Sequence, residues 1–330
     1  MNGEDVMTFA GGKSAGEPAL SFPGETLPEG HRSGFVALAG RPNVGKSTLM
    51  NRYVGEKVAI VSEKPQTTRN RLLGILTRPD AQVVFVDMPG LHRPRHLLGE
   101  YMVDQATTAL ADADVTLFLV DVSVPPTGED ELAAQVLRAR GAGPVILVLN
   151  KGDLLDPDGR EERVEAYRSL GDFREGFLIS ALRGDGCQAL LERVVELLPE
   201  GPRYFPAEQI SDQQERFLVA ELIREQVLHH ARQEVPHGVA VVVEQFKERP
   251  NDTTYIEATI YVEKDSHKGI LIGRKGQMLK QIGQEARRVL EDLLEGPVYL
   301  ELWVKVRKNW RKREEELRRL GYRLPKKRRR

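Results

Sequence analysis

The sequence predicts an α/β domain on a mostly parallel sheet, followed by a separate, smaller α+β domain. Three observations predict it. Short apolar runs alternate with amphipathic stretches from residue 34 to residue 199; Pro199, Pro202 and Pro206 then interrupt the chain; beyond them the order of elements changes.

The 330 residues suit about two domains, and 40% hydrophobic with 29% charged residues excludes a disordered or fibrous chain. Residues 1–33, rich in Gly, Pro, Ser and Glu and without periodicity, are expected to be a flexible tail lacking the marks of a signal peptide. No segment approaches the roughly 18 uninterrupted apolar residues of a membrane span. Cys187 is the only cysteine, so no intrachain disulfide forms. The cytoplasm is the expected compartment.

Within residues 34–199, the runs 35–39, 83–86, 115–120, 145–149 and 177–179 read as buried parallel strands, so the loops after their C-terminal ends are the expected ligand site. Residues 200–211 read as a stiff linker. The second domain spans 212–324: a helix over 212–232, two antiparallel strands over 239–247 and 254–263, and a glycine-punctuated then helical stretch over 269–295. A strand over 298–306 and a basic helix over 310–320 complete it. A basic tail, 325–330, follows.

Charge is unevenly placed. Residues 301–330 carry fourteen Lys or Arg against four Glu, a net of +10, which leaves −11 on the first 300 residues of a chain whose total is −1. A basic end on an acidic body points to nucleic acid or an anionic membrane surface.

The nucleotide motifs come in order, each at a strand end. Gly40, Arg41, Pro42, Asn43, Val44, Gly45, Lys46, Ser47 and Thr48 fit the phosphate-binding pattern G-x-x-x-x-G-K-[ST] between a strand and a helix. The glycines let successive N–H groups point at phosphate oxygens; Lys46 should reach the β- and γ-phosphates, and Ser47 should ligate Mg²⁺. Asp87, Met88, Pro89 and Gly90 follow the run 83–86, so that Asp87 can hold the metal through water and the Gly90 N–H can sense a γ-phosphate; Leu91 comes next. Asn150, Lys151 and Asp153 follow 145–149. Asp153 can accept both guanine N1–H and N2–H, which adenine cannot match. Asn150 would brace the loops and Lys151 would pack along the base. Ser180, Ala181 and Leu182 follow the next strand, with the Ala181 N–H aimed at guanine O6. Between the first two motifs lies the polar loop 64–69 with Gln66, Thr67, Thr68 and Arg69; a threonine here can complete the Mg²⁺ shell, and Thr68 is favoured over Thr67.

In the second domain, Gly273, Arg274, Lys275 and Gly276 form a G-x-x-G loop. Its glycines let a nucleic-acid backbone come close, its two cations meet phosphates, and Ile270, Leu271 and Ile272 read as the floor of a base-binding groove.

The elements GRPNVGKSTL, KPQTTR, DMPG, NKGD and SAL, followed by GILIGRKG, IGQEAR and LELWVKV, resemble the Era-type bacterial GTPases over about residues 34–324. The resemblance implies a P-loop GTPase domain followed by a type II KH domain, and a switch that binds the 3′ end of small-subunit (16S) ribosomal RNA and assists 30S maturation. It implies Mg²⁺ and GTP, no obligate protein partner, and an attributed peripheral association with the inner face of the membrane. The alternative function is a membrane-associated signalling GTPase. Leu91 departs from GTPases that place a water-orienting Gln there, so slow hydrolysis is expected, on the order of 10⁻⁴–10⁻³ per second. Asn43 matches a P-loop Asn that, in related GTPases, helps bind potassium. His92 and His96 read as surface residues.

Overall fold

Strand β1 (Arg32–Ala39) runs through the middle of a six-stranded sheet of order β2-β3-β1-β4-β5-β6. The computed structural model describes residues 27–322, apart from 65, 95, 141–142, 174, 232–234 and 251. The basic tail and most of the expected N-terminal tail lie outside the described residues. The chain continues through α1 (Lys46–Val54), β2 (Leu72–Thr77), β3 (Ala81–Asp87), α2 (Leu97–Ala111), β4 (Val115–Asp121) and α3 (Gly128–Arg140). It completes this domain with β5 (Val145–Asn150), α4 (Arg160–Arg168), β6 (Glu175–Leu178) and α5 (Cys187–Leu197).

The central strands are apolar on both faces because both are covered. Leu38, Val83 and Leu117 pack against α1 and α5, whereas Ala37, Val84 and Phe118 pack against α2, α3 and α4. Strand β2 is absent from the strands expected. It pairs antiparallel with β3, from Leu72↔Asp87 to Thr77↔Gln82, through a tight reversal at 78–81. A rule that seeks strand–helix alternation passes over such a hairpin.

The second domain contains α6 (Glu215–His230), β7 (Ala240–Glu248), β8 (Thr254–Val262), α7 (Asp265–Ile272), α8 (Gln277–Leu293), β9 (Val298–Val306) and α9 (Glu314–Arg319). Its sheet has the order β7-β8-β9, with β8 and β9 parallel. The inward residues of β8 and β9 alternate: Ile256, Ala258 and Ile260, then Val298 and Val304, are buried against α6, α7 and α8. The expected basic helix over 310–320 is instead a 3-10 turn, Trp310–Lys312, followed by α9, with Arg313 extended between them.

Two expectations at the ends of the first domain change. The first strand begins at Arg32, inside the expected tail, because His31 and Ser33 are buried and bonded to the carbonyls of Gly201 and Pro202. The stretch 200–211 is no free spacer: Gln82 binds the backbone of Tyr204 and Phe205, and Ile210 O accepts the N–H of Ile75 at 2.9 Å.

Besides a core of its own in each, the two domains share buried clusters. Ile60, from the first, is buried with Val219, Leu222, Ile223 and Leu228 of the second. Leu98, Tyr101 and Met102 of α2 bury Trp310, Leu317 and Tyr322. Each such aliphatic side chain contributes about 1.5–3 kcal/mol by leaving water, so the shared core joins the domains firmly.

Candidate nucleotide and RNA sites

The turn from β1 to α1 shapes the phosphate cradle. Gly40 and Gly45 have φ of 143° and 99°. A Cβ on Gly40 would meet Leu119 O at 2.3 Å, and one on Gly45 would meet Asn150 Nδ2 at 2.2 Å. Both positions therefore require glycine on conformation and on space. Gly90 approaches as closely, since its Cβ would lie 2.6 Å from Pro42 N, and Leu91 N donates to Gly40 O. Val44 is buried in the core beneath the loop, while Thr48 continues α1 at the edge of the cleft. Asp87 ends β3, so its strand delivers its carboxylate to the loop.

Lys46 is buried, with Nζ 2.9 Å from Arg41 O and 3.3 Å from Gly40 O. Burial lowers its pKa to about 8, against the opposing pull of Asp87. Asp87 is fully buried, and that burial raises its pKa, offset in part by Lys46 and by hydroxyl donors. Its Oδ2 accepts from Ser47 Oγ at 2.5 Å and from Thr68 Oγ1 at 3.3 Å, and the two hydroxyls are 3.1 Å apart. Its Oδ1 is buried with no protein partner. Two hydroxyls around a buried carboxylate with an unused oxygen fit a small divalent cation and its water. Thr67 turns the other way, its hydroxyl on Lys64 O at 2.6 Å.

At the opposite end of the cleft, Asn150 holds two loops at once. Its Nδ2 donates to Val44 O at 2.7 Å and its Oδ1 accepts the Ala181 N–H at 2.8 Å. That corrects one expectation: the Ala181 N–H is engaged by Asn150 and does not face a base. Lys151 is fixed by Asp121 at 2.6 Å, and Arg41 by Asp130 at 3.1 Å. Asp153 faces Arg183 Nε at 3.7 Å, and Leu182, 75% exposed, forms the outer lip beside Ser180. The cleft is about 780 Å³ and runs from Lys46 and Ser47 to Asp153 and Leu182.

Asp121, Asp130 and Arg183 were not singled out in the sequence. Asp121 carried a signal, because it ends β4 as Asp87 ends β3.

Leu91 is buried in the core under α2, so it presents nothing to the cleft. Met88 is likewise buried there, with Pro89 completing the turn to Gly90. His92 and His96, expected on the surface, are both half-buried. His92 Nδ1 bonds Gly90 O at 2.7 Å. His96 caps α2 by accepting the Gly99 N–H and lies 3.4 Å from Arg311. Burial and then Arg311 lower its pKa to about 4, so it is neutral at pH 7.

The loop around Thr68 departs most from expectation. Arg69, grouped with the nucleotide residues, points into the second domain, 1% exposed. Its guanidinium donates to Val239 O at 2.6 Å, His237 O at 3.3 Å and Tyr322 Oη at 3.3 Å, and lies 5.7 Å from the Trp310 ring. From the other side, Arg224 of α6 donates to Thr67 O while paired with Glu221. Glu225 accepts the Val61 N–H at 2.8 Å and Lys57 Nζ at 2.5 Å. Gln66, at φ 62°, makes the turn between them. Thus the loop that presents Thr68 to Ser47 and Asp87 is held along its length by α6.

In the second domain, Gly273 and Gly276 have φ of 71° and 78°, and Lys275 lies at 52°. A Cβ on Gly273 would meet Met278 Cβ at 2.6 Å, so the loop closes tightly onto α8. Arg274 and Lys275 are exposed. Ile270 is 49% exposed and Ile272 half-buried, but Leu271, expected in the groove floor, is buried in the core of this domain.

A family model described as a 50S ribosome-binding GTPase matches residues 35–151, and a KH-domain model matches residues 234–311. Among solved structures, Era in complex with MgGDPNP and nucleotides 1506–1542 of 16S ribosomal RNA is 39% identical with a TM-score of 0.84, covering 89% of this chain and 100% of that one. A single-residue variant of Aquifex aeolicus Era bound to GDP·AlF4⁻ matches with the same 39% identity, TM-score of 0.84, and coverage of 89% and 100%. A likeness of that extent takes in the nucleotide domain, the KH domain and the way they are joined, and on it the chain belongs to the Era family of GTPases.

Proposed function

We propose that the chain is a GTP-hydrolysing switch that binds the 3′ end of 16S ribosomal RNA through its KH domain and assists assembly of the 30S subunit. The observation that carries the proposal is the likeness, across both domains, to Era holding MgGDPNP and 16S RNA together.

In this reading Asp153 accepts from guanine, with Leu182 over the base and Asn150 tying the base loops to the phosphate loop. Lys46 and the backbone N–H groups of residues 43–47 receive the phosphates. Ser47, Thr68 and Asp87 hold Mg²⁺, which neutralises charge on the β- and γ-phosphates. The Gly90 N–H meets the γ-phosphate. Leu91 cannot orient the attacking water from the core, which supports slow hydrolysis in the free protein. Arg274 and Lys275 meet RNA phosphates beside Ile270 and Ile272. A protein acting on a nascent ribosomal subunit would work in the cytoplasm. Among the described residues, no helix is long and apolar enough to cross a membrane.

Filter binding of the full chain loaded with GDPNP, against an RNA of the 16S 3′ end, its scrambled counterpart and anionic vesicles, tests the proposal. The authentic RNA should be retained in preference to both. Retention of vesicles alone would establish the signalling GTPase at the membrane surface instead.

A further inference from the structure

The nucleotide cleft is not built by the first domain alone. Leu228 and His229, at the C-terminal end of α6, form part of its wall. The loop 57–69 fixes where along the nucleotide they lie. Thr68 marks the metal end, beside Ser47 and Asp87. Glu63 comes next, its carbonyl accepting from Asn43 Nδ2 of the phosphate loop at 2.5 Å. Val61 lies two residues earlier in the chain and also lines the cleft. Its N–H is bonded to Glu225, and its carbonyl lies 3.4 Å from His229 Nε2, one helical turn on. Base and phosphates are anchored at the two ends of the cleft, so the ribose must lie between them, beside this stretch.

His229 is exposed, and Val61 is 38% exposed, so both face the open cleft and not the core. At 3.4 Å the contact between them is long for a hydrogen bond. An imidazole so placed has a ring nitrogen to share with a hydroxyl arriving in the same plane.

We propose that His229 is a nucleotide-binding residue supplied by the KH domain, hydrogen-bonded to the ribose hydroxyls of GTP and GDP. It rests on the reading that this cleft binds guanine nucleotides. His229 thereby makes the second domain part of the nucleotide site itself.

Calorimetric titration of the full-length chain with GTP and with 2′,3′-dideoxy-GTP tests the assignment. Wild type should prefer GTP. His229→Ala should bind GTP about three- to ten-fold more weakly, the effect of one net hydrogen bond, and bind the dideoxy nucleotide as wild type does. His230→Ala is the control, since His230 faces Glu285 at 2.7 Å; it should leave both affinities unchanged. Unchanged GTP affinity in His229→Ala would overturn the assignment. So would an equal loss for both nucleotides, which would mean that His229 only steadies Val61, or an equal loss in His230→Ala, which would mean a disturbed helix end. Failure of the wild-type chain to bind either nucleotide would instead overturn the guanine reading of the cleft.

Discussion

In the proposed site Asp153 would set the choice of nucleotide by charge and by geometry together. Its carboxylate, which faces Arg183, would accept two guanine donors; an amide in its place would turn one acceptor into a donor. Asp153→Asn should therefore weaken GTP binding by about 10²-fold or more and admit xanthosine triphosphate; equal GTP affinity in titration would refute the assignment. Lys46 yields a prediction in pH. Its pKa is lowered to about 8 by burial, and phosphate must raise it again. GTP binding at pH 8.5 should thus take up protons, seen as a dependence of the heat on buffer ionisation enthalpy. The affinity should be full below pH 8 and fall as pH rises above it. Asn43, within the phosphate loop, donates to Glu63 O, and the core holds Leu91 away from the cleft. Hydrolysis should be faster in potassium than in sodium at matched ionic strength; equal rates would remove Asn43 from that role. The nucleotide residues were legible because phosphate, metal and guanine each demand particular residue types at fixed spacing. Asp130 and Arg183 were not, because Arg41 lies 89 residues before Asp130 and only the folded chain brings the two together.

Among the elements, α6 was readable as a helix but not as a scaffold. Its apolar residues announced a buried face; nothing in its pattern announced that Arg224 and Glu225 are buried too, bonded to the loop at Thr67 and Val61. Charged residues of that kind read as solvent-facing until a partner backbone is known. Arg224→Ala would leave the Thr67 carbonyl unpaired and free the Thr68 side of the loop. A hydrogen bond to a charged group is worth about 1.5–3 kcal/mol, so amide exchange over residues 60–69 should quicken by about ten-fold or more. Magnesium-dependent nucleotide affinity should fall with it. Unaltered exchange in that segment would show that α6 does not restrain the loop. Strand β2 was missed for a different reason: its run Leu72–Thr77 belongs to a hairpin on the sheet's flank, outside the repeating parallel pattern.

At the scale of the molecule, two domains and their order were evident from the change of pattern at the prolines, but their shared core was not. Trp310 and Tyr322 read as members of a basic C-terminal region, whereas Trp310 stacks on Tyr322, which meets Tyr101 of α2 edge-on. The loop 273–276, proposed to meet RNA, contributes no residue to that junction, so its chemistry should be separable. Replacing Arg274 and Lys275 with Asp should flatten the dependence of RNA affinity on salt, by about 0.7 in log–log slope for each phosphate no longer neutralised. It should also abolish preference for one sequence while leaving RNA-free hydrolysis unchanged; an RNA affinity like wild type would move the site elsewhere. The segment between the domains has a further effect, at the rim of the large sheet. Ile210 and Ser211 lie along β2 at Ile75 and Gly74, so that flank offers no row of free amides to another molecule. The other flank, β6, is only four residues long and carries the Glu175–Arg193 ion pair. Short, charged or covered edges are how sheets resist joining one another. A chain ending at residue 199 would keep every guanine-contacting motif yet uncover the β2 flank, and its solutions should turn turbid on standing where those of the intact protein stay clear.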